Sequence, residues 1–379
     1  MSRRTFGLNA LFLEPDRVGG TETYVRQIVP ELAKASPNDA FVLYLAREAA
    51  ATRWDVPANV RIASAPVTSV SRVQRLGWEL SGLVAQARRD QVTLLHSLGT
   101  TAPLASPMPR VVTVHDLIYE HFPEAFPGIR TPVLRKLVPH MLRRAHRVIN
   151  DSEATRQDVI GLYRVDLALA DVVYLGPGRP PIELGEHEAR RLLEQIGIQQ
   201  PYVLSVATSQ PHKNLQRLIE AFAQVRRTRA ETRLVLVGGA GQAQTRLTEA
   251  VTAAGIADAV TFTGWVDERT LDAVYAAAEL FVYPSLCEGF GLPLLEAMER
   301  SVPVLSSYST SLPEVGGDAV EYVDATRVDK LAGAIGRLLG DAPRRSALVA
   351  AGHEQFTRFG WARAARETLA SYERVLASR

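Results

Sequence analysis

One cysteine, Cys287, stands among 379 residues, which excludes an intrachain disulfide and suits a reducing compartment. No apolar run approaches the ~20 residues that a helix needs to cross a bilayer. The opening Ser2-Arg3-Arg4-Thr5-Phe6 resembles a twin-arginine export signal only at its start: Asn9 interrupts the apolar stretch and Glu14-Pro15-Asp16-Arg17 closes it, so it reads as a first strand. The expected setting is therefore cytoplasmic. Asp-x-Asp is absent, as is any Cys/His cluster with ligand spacing, so nothing in the sequence calls for a metal or other cofactor. No glycine turn carries the dinucleotide fingerprint with an acid about 20 residues on, which argues against a dehydrogenase. Repeats of solenoid length and low-complexity segments are absent too.

What is present is an ordinary globular composition, 46% hydrophobic and 22% charged, in a chain longer than one core usually supports. Short apolar runs alternate with helical patterns from end to end, the signature of parallel sheets with crossover helices. The spacing predicts strands near residues 6–13, 41–45, 93–96, 110–114, 148–150 and 172–174, and again near 202–206, 233–237, 260–263, 280–283, 303–306 and 320–323. Between the two sets, Leu175-Gly176-Pro177-Gly178-Arg179-Pro180-Pro181-Ile182-Glu183-Leu184-Gly185 is too rich in proline and glycine for either element and reads as a linker. The expectation is an α/β protein of two doubly wound domains, residues 1–178 and 179–358, followed by a helix over 359–379.

Residues 284–298, PSLCEGFGLPLLEAM, join an apolar strand to a helix through a glycine-rich turn with two carboxylates, Glu288 and Glu296. Pro293 sits where a helix begins and its missing N–H costs nothing. Gly289 and Gly291 allow close backbone approach, and the N–H groups of Gly289, Phe290, Gly291 and Leu292 face a helix N-terminus, where an anion such as a diphosphate is favoured. Acidic residues suiting a helix dipole would explain Glu288 but not two glycines between carboxylates. Gly19-Gly20, after the first strand and before a helix, offers a second set of N–H groups. His115 closes the apolar run Val111-Val112-Thr113-Val114, at the strand end where such sheets bind ligands.

Glu288 and Glu296 with the turn between them resemble the E-x7-E motif of retaining GT-B glycosyltransferases, and FVYPSLCEGFGLPLLEAM is similar to the GT4 family of hexosyltransferases. The resemblance continues in order along nearly the whole chain. It implies a GT-B fold, with two Rossmann-like domains facing a central cleft, an N-terminal acceptor domain, a C-terminal donor domain and a final helix packed back on the first. It implies that Gly19 and Gly20 meet the diphosphate and that His115 contacts the donor sugar while Asp116 orients its loop. Tyr119-Glu120-His121-Phe122-Pro123-Glu124 becomes an acceptor-side loop like that of mannosyl- and rhamnosyltransferases. Lys213 becomes the diphosphate lysine, an exposed cleft residue of little weight in the core, while Thr208 stands where many members have arginine and His212 is a candidate to supply the missing charge. Gly238 backs the nucleotide, Trp265 and Val266 meet the base, and residues 309–315 shape the turn behind the site. Glu288 is assigned to the sugar hydroxyls and Glu296 to the ribose.

The implied reaction is metal-free transfer of a hexose, mannose or a 6-deoxyhexose such as rhamnose, from a nucleoside-diphosphate sugar with its anomeric configuration retained. GDP-mannose or GDP-rhamnose is the favoured donor and a UDP-sugar the runner-up. The acceptor would be a glycan or polyprenyl-linked glycan hydroxyl in bacterial surface polysaccharide synthesis. Residues 1–180 carry 22 Lys and Arg against 17 Asp and Glu. Much of that excess lies between Arg130 and Arg147, where six cations and no acid are interspersed with apolar residues. An anionic membrane surface or a lipid-linked phosphate would attract such a stretch, and a solvated helix face would also produce it. Two rivals share the fold: a nucleotide-sugar 2-epimerase, disfavoured by the acceptor-side loop, and a non-catalytic sugar-nucleotide-binding partner, disfavoured by intact Glu288, Glu296, Lys213 and His115.

Overall fold

The computed structural model describes residues 3–14, 19–126, 128 and 130–378, for Arg130 the backbone only. Ser2 and residues 15–17 of the opening motif thus lie outside the described residues. The chain divides into two compact units, residues 1–120, 128–176 and 359–379 in the first, residues 121–127 and 177–358 in the second.

The first unit holds β1 (Thr5–Asn9), β2 (Ala40–Leu45), β3 (Val60–Ser64), β4 (Leu94–Ser97), β5 (Arg110–Val114), β6 (Arg147–Asn150) and β7 (Ala170–Val172), in the order β3-β2-β1-β4-β5-β6-β7. In the second, β8 (Tyr202–Val206), β9 (Arg233–Val237), β10 (Val260–Gly264), β11 (Leu280–Tyr283), β12 (Val304–Ser307) and β13 (Val320–Val323) follow the order β10-β9-β8-β11-β12-β13. Every pairing is parallel. Each sheet starts at its third strand in spatial order, winds to the nearer edge, then returns and winds to the other. That reversal opens a crevice beyond the carboxyl ends of β1 and β4, and of β8 and β11.

Eleven of these strands coincide with expected runs, the interior ones because strands covered on both faces are apolar throughout, while edge strand β7, with Asp171 at its centre, lies two residues before the expected 172–174 and shares only Val172 with it. No run was expected at β3, an edge strand in which only Val60 is buried and Arg61 and Ser64 are exposed. With one covered face its apolar signal is too thin to read. The first strand also ends at Asn9, earlier than expected, where its side chain turns to hydrogen bonding: Nδ2 donates to Glu79 at 2.6 Å and Ser97 at 3.1 Å.

The helix Trp361–Ala377 belongs to the first unit, against the helix Gly20–Ala35. Its buried stripe is Trp361, Ala364, Ala365, Thr368, Ser371, Tyr372 and Val375; Leu369 and Leu376, apolar in the sequence, are only half-covered. Small residues let it approach closely, and Gly176 takes the bulk of Trp361, whose ring carbon would stand 2.5 Å from a Cβ there. Polar contacts fix the register: Arg4 to Glu373 at 2.6 Å and Ser371 to Asp171 at 2.7 Å.

Candidate active site

In the second unit the loops leaving β8 and β11 are sewn together by the backbone. Leu286 N–H donates to the His212 carbonyl at 2.8 Å, and Asn214, left-handed at φ 58°, donates through Nδ2 to the Pro284 and Ala325 carbonyls at 3.1 and 2.8 Å. This brings Lys213, at the end of the short turn Pro211–Lys213, to Glu288: Nζ lies 2.7 Å from Oε1 and 3.2 Å from the Tyr283 hydroxyl. Burial alone would raise the Glu288 carboxyl, but the Lys213 charge and hydrogen bond outweigh it and hold the pKa below the usual range. Glu288 is therefore an ionised, acceptor-only group, able to take hydrogen bonds from hydroxyls. Its turn is fastened from behind: the Thr310 hydroxyl accepts from Glu288 N–H at 2.9 Å and donates to its carbonyl at 3.0 Å, and Ser311 donates to the Glu288 and Phe290 carbonyls.

Lys213 is thus no exposed lysine. Its side chain is 15% exposed and neutralises a buried carboxylate, so its removal reaches the fold. His212 does not supply a second charge either. It is buried, and burial followed by the adjacent Lys213 charge pushes its pKa down to about 4, leaving it neutral.

Gly291 caps the helix Leu292–Glu299 in the left-handed region, φ 106°, and places Glu296 in its second turn. There the Tyr275 hydroxyl donates to Oε2 at 3.1 Å. Burial raises the Glu296 pKa, opposed in part by the Arg300 charge. The turns after β8, β9 and β10 also meet. Gly238, at φ 139°, has no room for a Cβ, which would fall 2.3 Å from the Ala207 carbonyl and 3.1 Å from Thr208 N. Trp265, 61% exposed, lays its indole over Gly239, with half-buried Val266 beside it. Lys213, Glu288 through Leu292, Glu296, Thr208, Gly238, Trp265 and Val266 thus all lie beyond the carboxyl edge of one sheet, in one unit.

The first unit carries Gly19, Gly20 and His115. Gly19 is the extended N-cap of the helix Gly20–Ala35, which no side chain caps. Tyr24 from that helix sets its ring edge against His115, centroids 4.7 Å apart. His115 Nδ1 lies 2.7 Å from Asp151 and Nε2 2.9 Å from the Leu98 carbonyl, so both nitrogens face acceptors. Burial pulls its pKa down, but the Asp151 charge and hydrogen bond prevail and raise it. Asp116 accepts from Ile118 N–H at 3.0 Å, shaping the loop that follows. Beyond it the acceptor-side loop divides: Glu120 is bound by Tyr163 and Arg135 in the first unit, whereas residues 121–127 group with the second, Phe122 against His212.

His96 gave no signal in the sequence, being one histidine in an apolar strand. It is fully buried, Nδ1 2.6 Å from the Tyr372 hydroxyl and Nε2 2.8 Å from Thr113, which reaches Tyr24 at 3.2 Å. Burial lowers its pKa to about 3. Tyr283, Asn214 and Tyr275 were equally silent, since a strand tyrosine and loop polar residues become partners only once the turns meet.

Of the six cations between Arg130 and Arg147, Arg135 pairs with Glu120 and Arg147 with Asp171, and Arg143 donates to the Tyr163 carbonyl. Lys136 and Arg144 are exposed. Among the described residues no helix is long and apolar enough to cross a membrane.

Two sheets wound alike, with a carboxylate pair and a lysine at the carboxyl edge of the second, accord with a glycosyltransferase of the GT-B fold, the class that comparison with known proteins identifies. Sucrose-phosphate synthase from Thermosynechococcus elongatus has the same fold, with a TM-score of 0.79 over 100% of both chains at 22% identity. Residues 18–176 match Glycosyltransferase Family 4 and residues 190–355 match Glycosyl transferases group 1. The chain belongs to this family and is a hexosyltransferase. It is 32% identical over 265 residues to O-antigen chain mannosyltransferase B of Escherichia coli, covering 69% of this chain and 70% of that one. It is 27% identical over 365 residues, 92% of this chain and 93% of the relative, to the GDP-mannose-dependent alpha-(1-6)-phosphatidylinositol monomannoside mannosyltransferase of Mycolicibacterium smegmatis.

Proposed function

We propose that the enzyme transfers mannose, or a 6-deoxyhexose such as rhamnose, from a GDP-linked donor to a hydroxyl of a glycan or lipid-linked glycan, with retention of configuration and without a metal ion. The observation that carries this reading is the likeness, along almost the whole of both chains, to a protein whose name specifies GDP-mannose as donor and a phosphatidylinositol mannoside as acceptor.

In this reading the Lys213–Glu288 pair opens when the donor binds. Opening a buried ion pair is costly unless both members find new partners. A nucleoside-diphosphate hexose provides both, phosphate oxygens for Lys213 and sugar hydroxyls for Glu288. Lys213 then stabilises the charge gathering on the leaving diphosphate, the part a divalent cation plays elsewhere. Glu296 accepts the ribose hydroxyls, and Gly238, Trp265 and Val266 flank the base. For His115 to reach a donor hydroxyl, Nε2 has to release the Leu98 carbonyl. Glu288 acts on hydroxyls rather than as the nucleophile of a double displacement: the acceptor attacks from the front face and a donor phosphate oxygen takes its proton. The acceptor is presented at the inner face of the cytoplasmic membrane, toward which Lys136, Arg144 and their neighbours are drawn.

The test offers GDP-mannose, GDP-rhamnose and UDP-glucose to the enzyme in excess EDTA, with a mannoside acceptor, and reads the anomeric configuration of the product by NMR. Turnover with a GDP-sugar and an axial product linkage is expected. Turnover with UDP-glucose alone would move the donor to the uridine series, an inverted product would remove front-face attack, and activity restored only by Mg²⁺ or Mn²⁺ would replace Lys213 as the principal counter-charge.

A further inference from the structure

Glu296 is held differently from Glu288. Among the described residues no lysine or arginine stands within ion-pair distance of it: Arg300, one helical turn on, donates to the Glu296 carbonyl at 3.2 Å and to Asp272 at 2.7 Å. The carboxylate has one hydrogen bond, from the fully buried Tyr275 to Oε2. Oε1 stands against the linker. A Cβ on Gly178 would fall 2.7 Å from it, closer than such atoms approach, although the backbone there is outside the left-handed region and would accept an alanine.

The linker has little freedom to move aside. Asp272, buried, receives Arg179 Nη1 and Ile182 N–H on Oδ2, both at 2.7 Å, and Arg300 Nε on Oδ1. One carboxylate therefore clamps the linker to the end of the helix that bears Glu296, next to Gly178. A side chain at position 178 would have to be absorbed by displacement of the Glu296 carboxylate, the group that also accepts the Tyr275 bond.

We propose that Tyr275 and Gly178 are positioning residues that set the Glu296 carboxylate for two vicinal ribose hydroxyls, the phenol by holding one oxygen and the glycine by leaving room for the other. A cation in place of the phenol would draw on both oxygens; a single phenolic O–H leaves acceptor capacity for both hydroxyls. The linker is thereby part of the nucleotide site. This inference rests on the reading of Glu296 as the ribose carboxylate.

The experiment measures binding of GDP, UDP and their 2′,3′-dideoxy counterparts by calorimetry, using the full chain as wild type, Glu296→Gln, Tyr275→Phe and Gly178→Ala. Hydrogen bonds to a charged acceptor predict that wild type prefers the ribo form of its nucleotide by roughly tenfold or more. In Tyr275→Phe and Gly178→Ala that preference should fall at least about threefold, through weaker binding of the ribo form. Affinity for the dideoxy form should be retained, which also shows that the variants are folded, and the donor KM should rise more than kcat falls. A preference that persists in both variants but collapses in Glu296→Gln would overturn the positioning roles and keep the ribose carboxylate. A preference unchanged in Glu296→Gln itself would place the ribose elsewhere and remove both.

Discussion

At the carboxyl edge of the first sheet the titratable side chains are satisfied from within: His96 lies between Tyr372 and Thr113, and His115 between Asp151 and the Leu98 carbonyl. At the corresponding edge of the second sheet, Lys213 pairs with Glu288 and reaches Tyr283, and among the described residues Glu296 has one hydrogen-bond donor, the Tyr275 phenol. The two sheets share a winding order and hence a crevice in the same place. What differs is whether the polar groups around that crevice are closed on themselves or held in arrangements that a ligand can exchange. The first edge is built as a frame, while the second holds an ion pair and a carboxylate that the proposed donor would engage.

The largest effect expected from breaking this contrast is at Lys213. Lys213→Ala should lower kcat on the order of 10²–10³, by analogy with loss of one oxyanion donor, and should also lower Tm, because Glu288 is left buried and unpaired. Adding Glu288→Gln to Lys213→Ala removes that stranded charge and should restore Tm while turnover stays low. Full activity in Lys213→Ala would take the diphosphate away from this lysine.

Next is Glu296→Ala, expected to weaken binding of the preferred nucleoside diphosphate by about 1.5–3 kcal/mol, read by calorimetry. An unchanged Kd would return Glu296 to a structural role.

Acid stability sharpens the contrast from the other side. His96 and His212 have native pKa values lowered to about 3 and about 4 from 6.5. The unfolded chain therefore binds more protons than the native one below about pH 6.5, and stability contributed by these neutral rings is lost as the pH falls through that range. His115 has the opposite sign, its value being raised: its contribution is complete below about pH 6.5 and is lost as the pH rises through its native value. Tm measured from pH 4.5 to 8 should fall on the acid side. His96→Gln and His212→Gln should flatten that limb, and His115→Gln should cost more Tm at pH 6 than at pH 8. Parallel curves for all variants would show that these histidines do not titrate as their surroundings dictate.

The smallest effect concerns the basic stretch, much of whose charge is engaged within the fold. Lys136→Glu with Arg144→Glu should reduce flotation with vesicles containing anionic lipid by a modest factor, each surface cation contributing about 1 kcal/mol at most. Equal flotation would make residues 130–147 a solvated helix face.

The sequence by itself determined the alternation of buried strands and helices, since residues such as Leu280 to Tyr283 and Tyr202 to Val206 can be apolar throughout only if both faces are covered. It also marked the turn from Glu288 to Glu296, because glycines flanked by carboxylates before a proline-initiated helix have few other uses. Local chemistry carries such signals in a dozen adjacent residues. Edge strand β3 escaped because half of its surface faces water. The burial of Lys213, the neutrality of His212, the enclosure of His96 and the phenol beneath Glu296 were decided only when distant segments met: Asn214 on Pro284, Tyr372 on His96, Tyr275 on Glu296. Whether a titratable side chain is a free charge or half of a buried pair depends on partners tens to hundreds of residues away, and no local pattern encodes them.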